Sequence, residues 1–162
     1  TTGTLVLAAP GGPFTLTARA DRIDMLTSGL IITDYKTGAI PSNIAVESTK
    51  APQLPLEAAI AISGEGFAGT SGRAVAALRY IRASGGEPPG EDRKIKLKTA
   101  ADMVALAERA QKGLEALVAQ FDDPTTPYKA IRRAGFSYDY DDYAHLARVA
   151  EWSAHDDDEG QS

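Results

Sequence analysis

A turn signal at Thr27, Ser28 and Gly29 lies between two segments rich in β-branched residues. The first segment, residues 14–24, alternates Thr, Leu and Ile with smaller or charged residues, and the second, residues 30–36, continues in Leu, Ile and Thr. Segments of this kind on either side of a short turn are typical of antiparallel strands, because the turn sets the strand pairing. The sequence therefore predicts a β-hairpin that turns about Thr27 and Ser28.

Further strands and helices are predicted around this hairpin. Pro52 indicates the start of a helix over residues 53–63, since proline is tolerated in the first helical turn. Residues 74–81 are almost entirely apolar, which predicts a central strand buried on both faces. Thr99 is a suitable cap for a helix that ends near Phe121, because apolar residues recur there every three or four positions.

The remaining segments complete a predicted α/β fold. Short strands are predicted at residues 5–9 and at the alternating residues 94–98, and a last short helix is predicted to begin at Asp141 or Asp142 and to end at Trp152. Loops are predicted at residues 39–50, 64–72 and 84–92. This order of elements predicts a mixed β-sheet with helices packed against it.

The composition is that of an ordinary globular domain, with 43% hydrophobic and 24% charged residues and no cysteine. No apolar run approaches the length of a membrane span, so we expect a cytoplasmic protein with no membrane partner. One domain is predicted over residues 1–153, followed by an acidic, disordered tail over residues 154–162. The chain begins without Met or a signal peptide, and we expect it to be a piece of a longer protein.

The net charge of −5 neither supports nor excludes a DNA partner, because four of the acidic residues lie in the tail and the rest nearly balance the basic residues. The basic segment at residues 93–98 allows two interpretations. It could contact phosphates, or it could be a solvated edge strand protected by lysines.

Three residues of the predicted hairpin form a candidate metal site. Asp34 and Lys36 are two residues apart on a strand and therefore point to the same face. A turn about Thr27 and Ser28 would place Asp21 opposite Asp34, and two facing carboxylates suit a hard cation such as Mg²⁺ or Mn²⁺. A metal beside a lysine is suited to phosphodiester hydrolysis. The spacing alone fits equally well with ordinary solvated ion pairs at a sheet edge.

Three segments resemble, in order and at the same spacing, the motifs of the RecB-like branch of the PD-(D/E)XK nucleases. They are Ala18-Arg19-Ala20-Asp21-Arg22-Ile23-Asp24, Asp34-Tyr35-Lys36-Thr37-Gly38 and Pro52-Gln53-Leu54-Pro55-Leu56-Glu57-Ala58-Ala59. More narrowly, the chain resembles the C-terminal nuclease region of the AddB-type subunits of AddAB helicase–nucleases. The resemblance implies a restriction-endonuclease-like fold, in which helices flank a mixed β-sheet.

The resemblance also implies roles for individual residues. Asp21 and Asp34 would bind the metal together with the main-chain carbonyl of Tyr35, and Lys36 would serve the attacking water. Gln53 matches a glutamine of the family's helix motif, which lies beside the site. The expected catalytic residues are therefore Asp21, Asp34, Lys36 and Gln53.

This chain departs from the family pattern at several points. Ala18 stands where a glycine is usual, and Glu57 stands where many relatives have tyrosine, so the role of Glu57 stays open. No segment before the first predicted strand corresponds to the upstream helix that completes the site in relatives, and we expect this helix to be missing. The cysteines that hold an iron–sulfur cluster in some relatives are absent.

The function implied by the resemblance is metal-dependent DNA cleavage that processes double-strand break ends for recombinational repair. DNA and an AddA-type helicase–nuclease subunit would be the partners, and Mg²⁺ or Mn²⁺ the cofactor. One alternative is a catalytically degenerate domain of the same fold that holds DNA or docks a subunit. A second alternative, a free-standing RecB-like exonuclease, fits less well because the chain lacks cysteine.

Overall fold

The computed structural model describes residues 1–63, 66–70, 72–85 and 90–128. The chain clusters into two compact units, residues 1–123 and residues 124–162, and all the helices and strands below belong to the first. The predicted last helix and the predicted acidic tail lie outside the described residues. The division into a domain over residues 1–153 and a tail therefore stays a prediction.

Two antiparallel strands at the start of the chain form a small sheet. Strand β1 (Thr2–Leu7) pairs with β2 (Phe14–Arg19), with Leu5 opposite Leu16. The intervening segment contains Pro10, Gly11, Gly12 and Pro13, which do not favour continuation of a strand. Leu5 and Leu7 point into the core, where they join the buried ring of Phe67.

A four-stranded mixed sheet forms the centre of the first unit. Its strands are β3 (Arg22–Leu26), β4 (Gly29–Lys36), β5 (Val75–Ala83) and β6 (Gly90–Lys94), in the spatial order β3-β4-β5-β6. Strands β4 and β5 run parallel, whereas the other two pairs are antiparallel. The predicted mixed sheet is confirmed.

Three helices accompany these strands: α1 (Asn43–Glu47), α2 (Gln53–Ile62) and α3 (Ala100–Asp122). Helix α3 begins as predicted, because the Thr99 side chain accepts from the Asp102 N–H and the Asp102 side chain accepts from the Thr99 N–H. Helix α2 is buried on most of its surface and contacts β1, β4, β5 and α3. None of the helices among the described residues is long and apolar enough to cross a membrane.

The core lies between the sheets, α2 and α3. Its fully buried larger side chains come from β4, α1, α2, β5 and the loop before β5: Leu30, Ile32, Val46, Leu54, Ile60, Phe67, Leu78 and Tyr80. On β4, Leu30 and Ile32 face this core, and Ile31 and Thr33 point to the opposite face. This alternation is the period of two expected for a strand.

Several predicted boundaries are wrong. Residues 14–24 form two strands rather than one, because β2 pairs with β1 and β3 pairs with β4. The predicted loop over residues 39–50 contains α1, which Ser42 caps by accepting from the Ala45 N–H. Strand β6 occupies the end of the predicted loop over residues 84–92, and only Lys94 of the predicted strand over residues 94–98 belongs to it.

The prediction that β5 is central is confirmed, but burial on both of its faces is not. Val75, Leu78 and Tyr80 are buried, whereas Arg79 and Ile81 on the other face are only partly buried. That second face is polar, since the Arg79 Nε donates to the Thr33 hydroxyl at 3.3 Å.

Candidate active site

Asp34 and Lys36 lie at the carboxyl end of β4, where the apolar residues that face the core end. Lys36 Nζ is 2.8 Å from Asp34 Oδ2, which shows that both side chains occupy the same face, as their spacing predicted. Asp34 is only 3% exposed, while the Lys36 side chain is 29% exposed. A buried carboxylate is therefore held beside an ammonium that reaches solvent.

Asp21 lies at the break between β2 and β3. The predicted two-residue turn is confirmed, since Leu26 pairs with Gly29 and the pairing continues to Arg22 and Thr33. Asp21 and Asp34 occupy the next position, beyond the last paired residues. The Asp21 side chain still connects the two strands at this position, because its Oδ2 accepts a hydrogen bond from the Tyr35 N–H at 2.9 Å.

Tyr35 is anchored to the site through its main chain. Tyr35 is 45% exposed, as expected for the residue between Asp34 and Lys36, which point to the opposite face. The hydrogen bond to Asp21 joins the start of β3 to the end of β4. The role of the Tyr35 carbonyl as a metal ligand stays a prediction.

Gln53, the first residue of α2, connects the Asp34–Lys36 pair to this helix. Its Nε2 donates to Asp34 Oδ1 at 2.5 Å, and its Oε1 accepts from Lys36 Nζ at 2.9 Å. The Gln53 side-chain amide thus donates to the Asp34 carboxylate through its NH₂ group and accepts from the Lys36 ammonium through its oxygen. Pro52 is the residue before the helix, as its N-cap, and the predicted Gln53 does lie beside Asp34 and Lys36.

Glu57 is the residue whose role the sequence left open, and it is buried beside Gln53. It is 3% exposed, and its Oε1 is 3.5 Å from Gln53 Nε2, one helical turn away. Burial raises the pKa of Glu57 to about 7, and the charges of Asp34 and Asp21 add to this effect, while the Gln53 hydrogen bond and Lys36 oppose it. The raised pKa of Glu57 means that this carboxyl group takes up a proton near neutral pH.

Tyr80 completes the buried side of the site. It pairs with Asp34 across the parallel strands, is 1% exposed, and its ring centroid is 5.8 Å from Lys36 Nζ. Burial, together with the charges of Asp34 and Glu57, raises the pKa of the Tyr80 phenol to about 12. The sequence analysis missed this residue, because only the register between β4 and β5 places it against Asp34.

The sequence matches the family model of the PD-(D/E)XK nuclease superfamily over residues 2–135, which include every helix and strand described above. The chain belongs to this superfamily. Neither a curated protein nor a solved structure gives a significant match. The mixed sheet with flanking helices is accordingly a restriction-endonuclease-like α/β fold, as the sequence resemblance implied.

PD-(D/E)XK nucleases typically use divalent metal ions, and a hard ion such as Mg²⁺ prefers oxygen donors. Within the described ranges, no group of three or more His, Cys, Asp or Glu side chains is close enough together to hold an ion. Asp34 Oδ2 and Glu57 Oε2 are nevertheless buried and make no hydrogen bond, although Lys36 forms a salt bridge with the former. Mg²⁺ commonly uses one or two carboxylates and keeps several waters, so the donors fit such an ion.

Proposed function

We propose that this PD-(D/E)XK domain is a metal-dependent deoxyribonuclease that hydrolyses phosphodiester bonds. The observation that supports this proposal most directly is the buried Asp34 beside Lys36, with Gln53 bonded to both. A carboxylate of this kind can hold a cation, and the adjacent ammonium can act on a water or a phosphate.

The proposed division of roles follows the positions of the side chains. Asp21, Asp34 and the Tyr35 carbonyl would hold Mg²⁺ or Mn²⁺. When bound, the ion would supply charge stabilisation for the phosphate and a water that is more readily deprotonated. Lys36 would orient that water or offset the charge that develops on the phosphoryl oxygens, and Gln53 would keep the Lys36 ammonium and the Asp34 carboxylate in place.

The biological setting is part of the proposal. The three motifs around Asp21, Asp34 and Gln53 resemble those of the RecB-like branch, and the chain as a whole resembles the C-terminal nuclease region of AddB-type subunits, so we infer a role in processing DNA double-strand break ends for recombinational repair. DNA strands would be delivered by an AddA-type helicase–nuclease partner in the cytoplasm. This setting rests on the sequence resemblance.

A second function is favoured by a specific observation. Among the residues that the structure describes, no three His, Cys, Asp or Glu side chains come together as a set of ion ligands. This arrangement suits a domain that holds DNA or docks a subunit without cleaving DNA. In that case Lys36 would be one phosphate contact among several.

Substitution of Lys36 separates the two functions. In a nuclease, Lys36→Ala should lower single-turnover cleavage at saturating DNA by at least about a hundredfold, because an electrostatic contributor to the transition state is lost. DNA affinity in Ca²⁺ should change little. The measurement uses the full-length protein, with the nuclease of any partner subunit inactivated, and Lys112→Ala on the exposed side of α3 is the control. A normal cleavage rate with weakened affinity would support the holding domain instead.

A further inference from the structure

Arg82 lies beside Lys36 on the neighbouring strand. Strands β4 and β5 are parallel, and Lys36 pairs with Arg82 just as Asp34 pairs with Tyr80. Paired residues on adjacent strands point to the same face, and their strands are about 4.8 Å apart. Arg82 therefore extends the row of charged side chains from the candidate active site across the sheet.

The guanidinium of Arg82 is only weakly paired. Its Nε is buried and makes no hydrogen bond to the part of the chain that the structure describes, and its Nη2 is 3.9 Å from Glu91 Oε2. Glu91 is held more closely by Arg93, whose Nε and Nη2 both donate to Glu91 Oε1, the former at 2.9 Å. Arg93 is therefore the closer partner of the Glu91 carboxylate, and Arg82 makes only a long contact with its other oxygen.

The charges along this row leave an excess at Arg82. Asp34 and Lys36 form one close pair, and Glu91 and Arg93 form another. Arg82 lies between these two pairs, and its own contact with Glu91 is the longest of the three. Its side chain is 30% exposed, so an anion can reach it from solvent.

We propose that Arg82 binds a backbone phosphate of the DNA strand that neighbours the phosphate to be cleaved. A guanidinium presents a fork of donors that matches two phosphate oxygens, and such charge-assisted pairs are among the strongest hydrogen bonds in proteins. A strand with one phosphate beside Lys36 has the next within one nucleotide, in reach of the adjacent strand of the sheet. This inference rests on the proposed function, because it uses the same substrate and the same site.

The alternative is that Arg82 only forms a cross-strand ion pair with Glu91. A pair of that kind would contribute to stability and would leave DNA affinity unchanged. The two interpretations therefore differ in a DNA-binding measurement rather than in a melting temperature.

The test is DNA binding by Arg82→Gln in the full-length protein. The probe is a blunt, fluorescently labelled duplex in Ca²⁺, titrated at several salt concentrations. Affinity should fall about tenfold, as expected for loss of a hydrogen bond to a charged group. The slope of log K against log salt should become shallower by about 0.9, because one phosphate contact is lost. Arg82→Lys should keep the slope and lose part of the affinity, and Lys112→Gln, which removes an exposed charge on α3, should match the wild type.

The outcomes separate this inference from the proposed function. A wild type that cleaves DNA, with Arg82→Gln binding and salt slope unchanged, would overturn the phosphate contact and leave the nuclease proposal standing. A wild type that binds DNA without cleaving it, with Arg82→Gln weakened as expected, would support the contact and overturn the nuclease. Absence of any DNA binding by the wild type would overturn both.

Discussion

Glu57 is expected to destabilise the native state of this domain at alkaline pH, and Glu57→Gln should remove that cost. The native state holds this carboxyl group at 3% exposure with a pKa of about 7, whereas its ordinary value is 4.5. A carboxyl group with a raised pKa binds its proton more tightly in the folded state. The contribution of this tighter proton binding to the free energy of unfolding is therefore complete below pH 4.5. It falls as the pH rises from 4.5 to about 7, and it is lost at higher pH.

The magnitude follows from the two pKa values. At 1.36 kcal/mol for each pKa unit, the interval between 4.5 and about 7 corresponds to about 3 kcal/mol at pH 8.5. Near pH 5 the Glu57 carboxyl group is still mostly protonated in the folded state, and its burial lowers the free energy of unfolding by less than about 1 kcal/mol. Because glutamine is uncharged and has nearly the same shape, Glu57→Gln should stabilise the protein by about 3 kcal/mol at pH 8.5 and by much less at pH 5.

Urea unfolding in the presence of EDTA measures this difference at both pH values. Glu108→Gln is a matched control, because Glu108 is exposed on α3 and its neutralisation should have little effect at either pH. The reasoning would be refuted if Glu57→Gln raised the free energy of unfolding by the same amount at pH 5 and at pH 8.5. A variant that gains nothing at pH 8.5 would be equally decisive, since it would show that burial does not penalise the charge.

Three other perturbations test the site and the fold. Mg²⁺ should raise the thermal midpoint of the wild type but not of the Asp21→Asn, Asp34→Asn double mutant, because an ion that binds only the native state stabilises it by mass action; equal shifts would place the ion elsewhere. Gly29→Ala should destabilise the protein by about 3 kcal/mol in urea unfolding, since Gly29 has a φ of 125° and a Cβ atom there would lie 2.4 Å from a backbone carbonyl oxygen. Gly113→Ala, with open space and an ordinary helical position, is its control and should be neutral or stabilising. Thr99→Ala should cost about 1 kcal/mol through loss of the helix cap, and an unchanged urea midpoint would contradict that role of the threonine.

Local chemistry explains which parts of the fold could be predicted. The turn at Thr27 and Ser28 and the cap at Thr99 are encoded by neighbouring residues, and both are confirmed by the structure. Strand β6 has the sequence Gly-Glu-Asp-Arg-Lys, which has no apolar alternation. It is a strand because its backbone pairs with β5, and its side chains alternate between exposed and half-buried without entering the core. A hydrophobic pattern cannot reveal a strand of that kind.

The same distinction applies to the candidate site. Asp34 and Lys36 are two residues apart on one strand, so their proximity could be predicted from the period of a strand. The contact of Gln53 with this pair and the position of Tyr80 depend on how α2 and β5 pack against β4, which no local pattern specifies. The resemblance to family motifs supplied Gln53, but nothing in the sequence supplied the register that aligns Tyr80 with Asp34.

The cost of burying these groups is itself an argument for their use. On the core-facing side of β4, Leu30 and Ile32 are completely buried, and an apolar residue at position 34 would extend that packing. Instead the chain buries Asp34 there, where Lys36 forms a salt bridge with its Oδ2, and buries Glu57 on the other side of Gln53 with its Oε2 lacking a hydrogen bond. Buried charges that are incompletely satisfied cost more than apolar residues of similar volume, so stability does not explain their presence. A local conflict of this kind between sequence and packing is expected where a site serves a ligand, and the carboxyl oxygens of Asp34 and Glu57 are donors that a cation could use.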